Sequence, residues 1–270
     1  MAQGEQYWAP IRVNNIIYTN GGSFGGLYGI IATDGSQKFF TSLDQEDSWS
    51  AGYFAGNIFT FVGGHFRKHD ATSGAILSAV DLPTPDHKPN TAPVFGSSLA
   101  YVIAYPNLVA IDPADDSVAW TANGTFFGTP AVADGVVYAI DTGNLVARDA
   151  ITGELLWSFV GDGTLHFPPV IANGYVYVAS PANVYAVSIA THRSVWSDKG
   201  GGWLAIAAHR LFIAGMGSKL TVYVLGHSVP CGTLDCITPP GSTRAPCCLD
   251  PFEAKCGVVS EVTRACTGAP

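Results

Sequence analysis

The stretch Ala147-Arg148-Asp149-Ala150-Ile151-Thr152-Gly153-Glu154-Leu155-Leu156-Trp157 recurs in weaker form along the chain. Asp149 and Trp157 stand eight residues apart, and the same spacing joins Asp112 to Trp120 and Ser188 to Trp196. Asp70 with Ser78, and Ile31 with Phe39, are degenerate copies. A second signal keeps step with the first. It is a short strand, mostly opened by proline or a small residue, starting at Pro10, Ala51, Pro93, Pro130, Pro169 and Leu204. Those starts lie 41, 42, 37, 39 and 35 residues apart. Self-similarity with a period of roughly 40 residues marks propellers and solenoids.

Within one period the pattern is four short strands separated by turns. In the fourth copy Pro130 to Ala133 is the first strand and Asp134-Gly135 a tight hairpin turn. Val136 to Ile140, Leu145 to Asp149 and Glu154 to Val160 follow. The fifth copy repeats this with Ala172-Asn173-Gly174 as its first turn. Turns every 8 to 12 residues between alternating strands predict antiparallel sheet, and no long window shows helical periodicity. A four-stranded sheet of this size cannot cover both of its faces, and radial stacking of copies solves that problem. Trp120, Trp157 and Trp196 sit where an outer strand can lay a ring on the next sheet. Asp112, Asp149 and Gly153 fall at the turn, where a short carboxylate bonds backbone N–H groups and glycine takes a positive φ.

The string Ala147-x-Asp149-x-x-Thr152-Gly153-x-x-x-Trp157 resembles the tryptophan-docking motif of the PQQ-like (pyrroloquinoline-quinone-type) β-propeller repeat family. Ala110, Asp112 and Trp120 match it with Asp115-Asp116 in place of Thr-Gly. Ala186, Thr191 and Trp196 match it with Ser188 and His192 departing. The resemblance covers about residues 8–226 and is strongest in the middle copies. It implies an all-β propeller in which Asp112, Trp120, Asp149, Gly153, Trp157 and Trp196 are structural docking residues without a catalytic role. Six blades are expected over residues 1–226, and the sixth enters the cysteine region without an outer strand. Closure then needs a strand from Met1 to Tyr7, a strand from His227 onward, or a partner. A ring of six closed by one terminus is the expectation; seven blades, or an open ring completed by another subunit, are the alternatives.

Composition narrows the function. Hydrophobic residues make up 47% of the 270 positions and charged residues 13%, with 31 Gly and 17 Pro, which suits strands joined by tight turns. A net charge of −8 with 13 Lys and Arg argues against nucleic acid as a partner. No apolar run reaches the roughly 18 residues of a membrane span. Met1-Ala2-Gln3-Gly4-Glu5 shows neither the basic start nor the apolar run of a signal peptide. All the cysteines (Cys231, Cys236, Cys247, Cys248, Cys256 and Cys266) lie in residues 227–270, which carry too little apolar material for a core. This stretch reads as a separate disulfide-stapled module, so a secreted, cell-surface or periplasmic protein is expected. Its C–C–CC–C–C order is similar to that of knottin-like modules, which implies pairing Cys231 with Cys248, Cys236 with Cys256 and Cys247 with Cys266. Six cysteines alone allow 15 pairings. Zinc is the competing reading, but no Cys-x-x-Cys knuckle or nearby His supports it. Asn123-Gly124-Thr125 is a glycosylation sequon, usable in a eukaryotic source and otherwise a plain turn.

No catalytic, cofactor-binding or metal-binding residue is assigned. Quinone-dependent members of the family are longer and hold the quinone over calcium with a carboxylate base, ligands this sequence does not place. Vicinal Cys247-Cys248 resembles a pair that some alcohol-oxidising relatives stack on the quinone, yet it lies outside the repeat. His65 and His69 stand four apart on a strand, about 13 Å at roughly 3.3 Å per residue, too far to share one ion. Asp44-Glu46-Asp47 and Asp112-Asp115-Asp116 read as solvated turns, and Gly21 to Gly26 and Gly200 to Gly202 as loops with no helix behind them. Loops at Gly21 to Gly26, Thr84 to Asn90 and Gly161 to His166 are candidates for a binding face. The expected function is a non-catalytic binding or scaffolding protein of an extracellular or cell-envelope assembly. Self-assembly through terminal strand or tail exchange, and a quinone- or metal-dependent oxidoreductase, are the alternatives.

Overall fold

The computed structural model describes residues 9–21, 25–45, 49–83, 91–215 and 219–225, and the regular structure among them is all strand. The cysteine-rich stretch, the Met1 to Tyr7 strand, the loop before Asn90, Glu46-Asp47 and the middle of Gly21 to Gly26 lie outside the described residues.

The strands form six antiparallel meanders in chain order. The first sheet is β1 (Ile11–Val13), β2 (Ile16–Asn20), β3 (Leu27–Ile31) and β4 (Gln37–Thr41). The second is β5 (Gly52–Phe54), β6 (Asn57–Val62), β7 (His65–Asp70) and β8 (Ile76–Asp81). The third is β9 (Val94–Phe95), β10 (Ala100–Ala104), β11 (Asn107–Asp112) and β12 (Ser117–Ala122). The fourth is β13 (Phe126–Ala133), β14 (Val136–Asp141), β15 (Asn144–Asp149) and β16 (Leu155–Phe159). The fifth is β17 (Phe167–Ala172), β18 (Tyr175–Ala179), β19 (Asn183–Ser188) and β20 (Ser194–Lys199). The sixth has three strands, β21 (Gly202–Ala207), β22 (Arg210–Gly215) and β23 (Lys219–Val224).

Tight turns set this pattern. Ala55-Gly56, Asp134-Gly135, Thr142-Gly143, Asn173-Gly174 and Ala208-His209 all have both residues at positive φ, the backbone of a turn whose twist matches the flanking strands. β13 departs from expectation by starting at Phe126, four residues before Pro130. Its register shifts between Phe127 and Ala131, because Pro130 has no N–H for the ladder and the strand bulges around it.

The chain divides into two compact units, one through Pro169 and one from Val170. In the first unit, apolar residues of successive sheets meet. Tyr18 and Leu27 pack with Ile58 and Val62; Phe59 and Phe66 with Val102 and Ile111; Tyr101 and Leu108 with Val137 and Ala139. Inner strands are therefore covered on both faces, and all five residues of β10 are buried. Each large apolar side chain so enclosed contributes about 1.5–3 kcal/mol. In the second unit β18 of the fifth sheet packs against β21 of the sixth.

Candidate functional site, the inter-sheet docks and an open edge

One turn joins the third and fourth strands of the first five sheets. The N–H of its fifth residue donates to the carbonyl of its first: Gly35 to Ile31, Gly74 to Asp70, Asp116 to Asp112, Gly153 to Asp149 and His192 to Ser188, at 2.8–2.9 Å. Every fifth residue has a positive φ, between 59° and 74°. Asp149 steadies its turn by accepting from the N–H groups of Thr152 (2.7 Å) and Ile151 (2.9 Å), and these donors hold its carboxyl below the usual range. Asp70 accepts from the hydroxyl and N–H of Ser73 (both 2.8 Å), which lower it likewise. Asp112 accepts from Ala114 N–H at 2.8 Å. A single extra residue in each fourth strand follows the turn, as when Arg148 pairs with Leu155 but Ala147 with Trp157. Turn plus bulge produce the eight-residue spacing of the repeat.

The bulge brings three residues into a row across strands two, three and four. The rows are Tyr18–Gly29–Phe39, Phe59–Lys68–Ser78, Tyr101–Ala110–Trp120, Tyr138–Ala147–Trp157 and Tyr177–Ala186–Trp196. A small middle residue leaves room for the aromatic pair to meet, at 5.8 Å between centroids for both Tyr101–Trp120 and Tyr138–Trp157.

Trp120 reaches from the third sheet to the turn of the fourth. Its Nε1–H donates to the Ala150 carbonyl at 3.0 Å, and the Tyr101 hydroxyl donates to the same oxygen at 2.9 Å. The indole lies against Gly153, where an added Cβ would stand 2.7 Å from Trp120 Cδ2. Burial pushes the Tyr101 phenol up to about 12. Phe39 repeats the contact two steps earlier on Gly74, while Tyr18 donates to the Ala71 carbonyl at 2.6 Å. In the second sheet, where Phe59 and Ser78 have neither phenol nor indole, Lys68 takes over. Its Nζ donates at 2.6 Å to the carbonyl of Pro113, the residue that follows Asp112 as Ala150 follows Asp149.

Side chains on β7 and β15 brace the same turns from within. The Arg148 guanidinium donates from Nη1 to the Gly153 carbonyl at 2.8 Å, and His69 Nδ1 lies 3.1 Å from that of Gly74. Since a carbonyl only accepts, Nδ1 carries the proton and Nε2 accepts from the Thr60 hydroxyl at 3.0 Å. His69 is fully buried and its pKa is lowered to about 4, chiefly by that burial. The tyrosine column, Lys68 and His69 escape a reading centred on tryptophan. An aromatic residue third after each first hairpin turn is the signal that finds the column.

The sixth sheet differs. Among the described residues no strand pairs with the far side of β23. A groove of about 510 Å³ is lined there by Asp198, Lys199 and Lys219 to Tyr223. Leu220 is 63% exposed, which leaves it the most exposed large apolar side chain described. Trp196 meets Tyr223 edge-on at 4.9 Å, and the Tyr223 hydroxyl donates to Asp198 Oδ2 at 2.5 Å. Burial, with the Asp198 carboxylate beside it, raises the Tyr223 phenol.

Other candidate residues are occupied locally. His65 Nδ1 lies 2.6 Å from Asp81, Asp44 pairs with Arg67 at 2.8 Å, and Asp115 accepts from Ser117. In the Gly161 to His166 loop, Asp162 accepts from Thr164 and His166 packs on Phe127 at 5.0 Å. Asn123 is exposed just before β13. Among the described residues no helix is long and apolar enough to cross a membrane, and no cluster of three or more His, Cys, Asp or Glu could hold a metal ion.

No curated protein matches this chain in sequence. Among solved structures, BamB from Moraxella catarrhalis superposes with a TM-score of 0.66 at 15% identity, covering 82% of this chain and 70% of that one. The computationally designed protein Ika8 gives 0.66 at 12%, covering 82% and 72%. The quinohemoprotein alcohol dehydrogenase of Comamonas testosteroni gives 0.60 at 11%, and ADHIIG of Pseudomonas putida HK5 gives 0.58 at 15%. The match takes in 73% and 71% of this chain but only 43% and 41% of those enzymes. The shared fold is the β-propeller. The family model described as outer membrane protein assembly factor BamB matches residues 63–197 and 128–225, and with the repeat geometry above this chain belongs to that PQQ-like family.

Proposed function

We propose that this chain is a non-catalytic scaffold of a cell-envelope or extracellular assembly, with its propeller as the interaction platform. The observation that carries this reading is the edge of β23, which no strand among the described residues covers, beside its groove, since an open strand edge is a ready site for pairing with another chain. Membership of a family described as an outer membrane protein assembly factor supports the envelope setting. In this reading Asp112, Trp120, Asp149, Gly153, Trp157 and Trp196 keep the platform rigid, residues 1–226 form it, and residues 227–270 are a separate module stapled by their cysteines. Asn123 carries a glycan if the source is eukaryotic. The test is a photo-crosslinking side chain at Leu220, with the exposed Asp134 as comparison site, in cells of the source. Discrete adducts with one other protein from 220 alone support the scaffold; equal labelling from both sites contradicts it.

The same edge favours a second reading, in which copies self-assemble by exchanging a terminal strand or tail. Sedimentation over a wide concentration range separates the two, because self-assembly requires growth with concentration. The likeness to two quinohemoprotein dehydrogenases is the basis for an oxidoreductase. A bound quinone would absorb between about 300 and 450 nm in the purified protein, and a blank spectrum with no metal on elemental analysis rejects that reading.

A further inference from the structure

We propose that β23 accepts an added strand from a partner protein, an extended segment with valine-sized residues on its inner side and acidic residues facing the groove's lysines. The inference rests on the scaffold reading and names the chemistry of its partner.

The rows explain the size preference. Where the middle residue is Gly or Ala the outer residue is Phe or Trp, and where it is Lys68 the outer residue is Ser78. Volume in the middle position is compensated at the edge. In the sixth sheet the row is Phe212–Val222, with its outer position on the side of β23 that no described strand pairs. Valine lies between those extremes, so the residue laid opposite it is of intermediate size and an indole is excluded by overpacking. Trp196 of the fifth sheet meets Tyr223 of β23 edge-on.

Charge sets the second preference. The chain carries −8 overall, yet this groove presents Lys199 and Lys219 against Asp198. The Asp198 carboxylate is engaged by the Tyr223 hydroxyl and by the Lys199 N–H at 2.7 Å. Both lysines are exposed and line the groove, so an approaching strand meets two ammonium groups. Leu220, in the same lining, offers apolar contact, and main-chain pairing along six residues of β23 supplies the affinity.

The probe is an eight-residue peptide of alternating valine and threonine with a glutamate at each end, titrated by fluorescence anisotropy into the full chain. Saturable binding is expected, weakened about tenfold when lysines replace the glutamates. N-methylation of alternate peptide nitrogens should abolish it, since that removes the ladder donors. Lys219→Glu, on an exposed side chain and checked by thermal melt, should remove most of the preference between the two peptides. Four outcomes overturn the proposal: no saturable binding; binding indifferent to Lys219→Glu and N-methylation; binding only after residues 2–8 are deleted; or a dimer that the peptide dissociates. The third assigns the edge to the chain's own terminus and the fourth to a second copy. A peptide failure alongside a specific Leu220 crosslink removes this partner chemistry and leaves the scaffold standing; failure of the crosslink alone removes the scaffold.

Discussion

Between the third and fourth sheets the gap is filled by an indole, and between the second and third by a lysine. Trp120 gives its N–H to the Ala150 carbonyl and its ring to Gly153. Lys68 reaches the matching Pro113 carbonyl from one strand further in, and Ser78 stands where the indole would be. The acceptor is the same in kind, and so is the turn that presents it. The repeat therefore selects a donor for one backbone oxygen and enough volume beside it, and tryptophan is one of several ways to supply both. This accounts for a motif strong in the middle copies and degenerate near the start.

The largest expected effect tests the two outer positions directly. Trp120→Ala should cost about 3–5 kcal/mol in urea unfolding, as for other large aromatic truncations. Ser78→Ala, at the same register, should stay within about 0.5 kcal/mol or stabilise slightly, because Ser78 Oγ is buried without a hydrogen-bond partner. Similar costs at the two sites would break the comparison.

His69 offers a pH test confined to the second sheet. Its pKa is about 4 when folded and near 6.5 when unfolded. Between those values the unfolded chain binds the extra proton, so the His69 contribution is intact above pH 6.5 and is lost as pH falls toward 4. The loss should approach about 3 kcal/mol, and His69→Gln should flatten that part of the stability curve. The Arg67 charge on the same strand works in the same direction as burial. An unchanged slope in the variant would remove His69 as the cause.

Lys68→Met should cost about 1.5–3 kcal/mol by leaving the Pro113 carbonyl without its charged donor. Lys68→Ala with Ser78→Trp rebuilds the indole arrangement and should recover most of that loss, as read by the same unfolding curves. The smallest effects sharpen the turn argument. Asp116 and Ala208 hold positive φ without being glycine. Asp116→Gly and Ala208→Asn should each gain about 0.5–1 kcal/mol in the thermal or urea midpoint.

Much of the fold is legible in the sequence because turn chemistry and strand alternation are local. Asp134-Gly135 and Asn173-Gly174 name their own hairpins, and Asp149 to Gly153 names its turn. The three strands described in the sixth sheet follow from the same counting. The docks are less legible, since a contact between successive sheets leaves only a spacing in the chain. A lysine that replaces an indole from the neighbouring strand leaves no spacing at all. The edge of β23 follows from the point where the repeat enters the cysteine region, but its lysines gain meaning only when β20 and β23 line one groove.

The most direct test is a double-mutant cycle on the central dock. Gly153→Ala in the wild-type background must bear both a strained positive φ and the overlap with the Trp120 ring. In a Trp120→Ala background only the backbone strain remains. The account predicts a coupling of about 1–3 kcal/mol between the two substitutions. Costs that add within about 0.3 kcal/mol would show that the indole does not rest on that turn, and the docking description would fail.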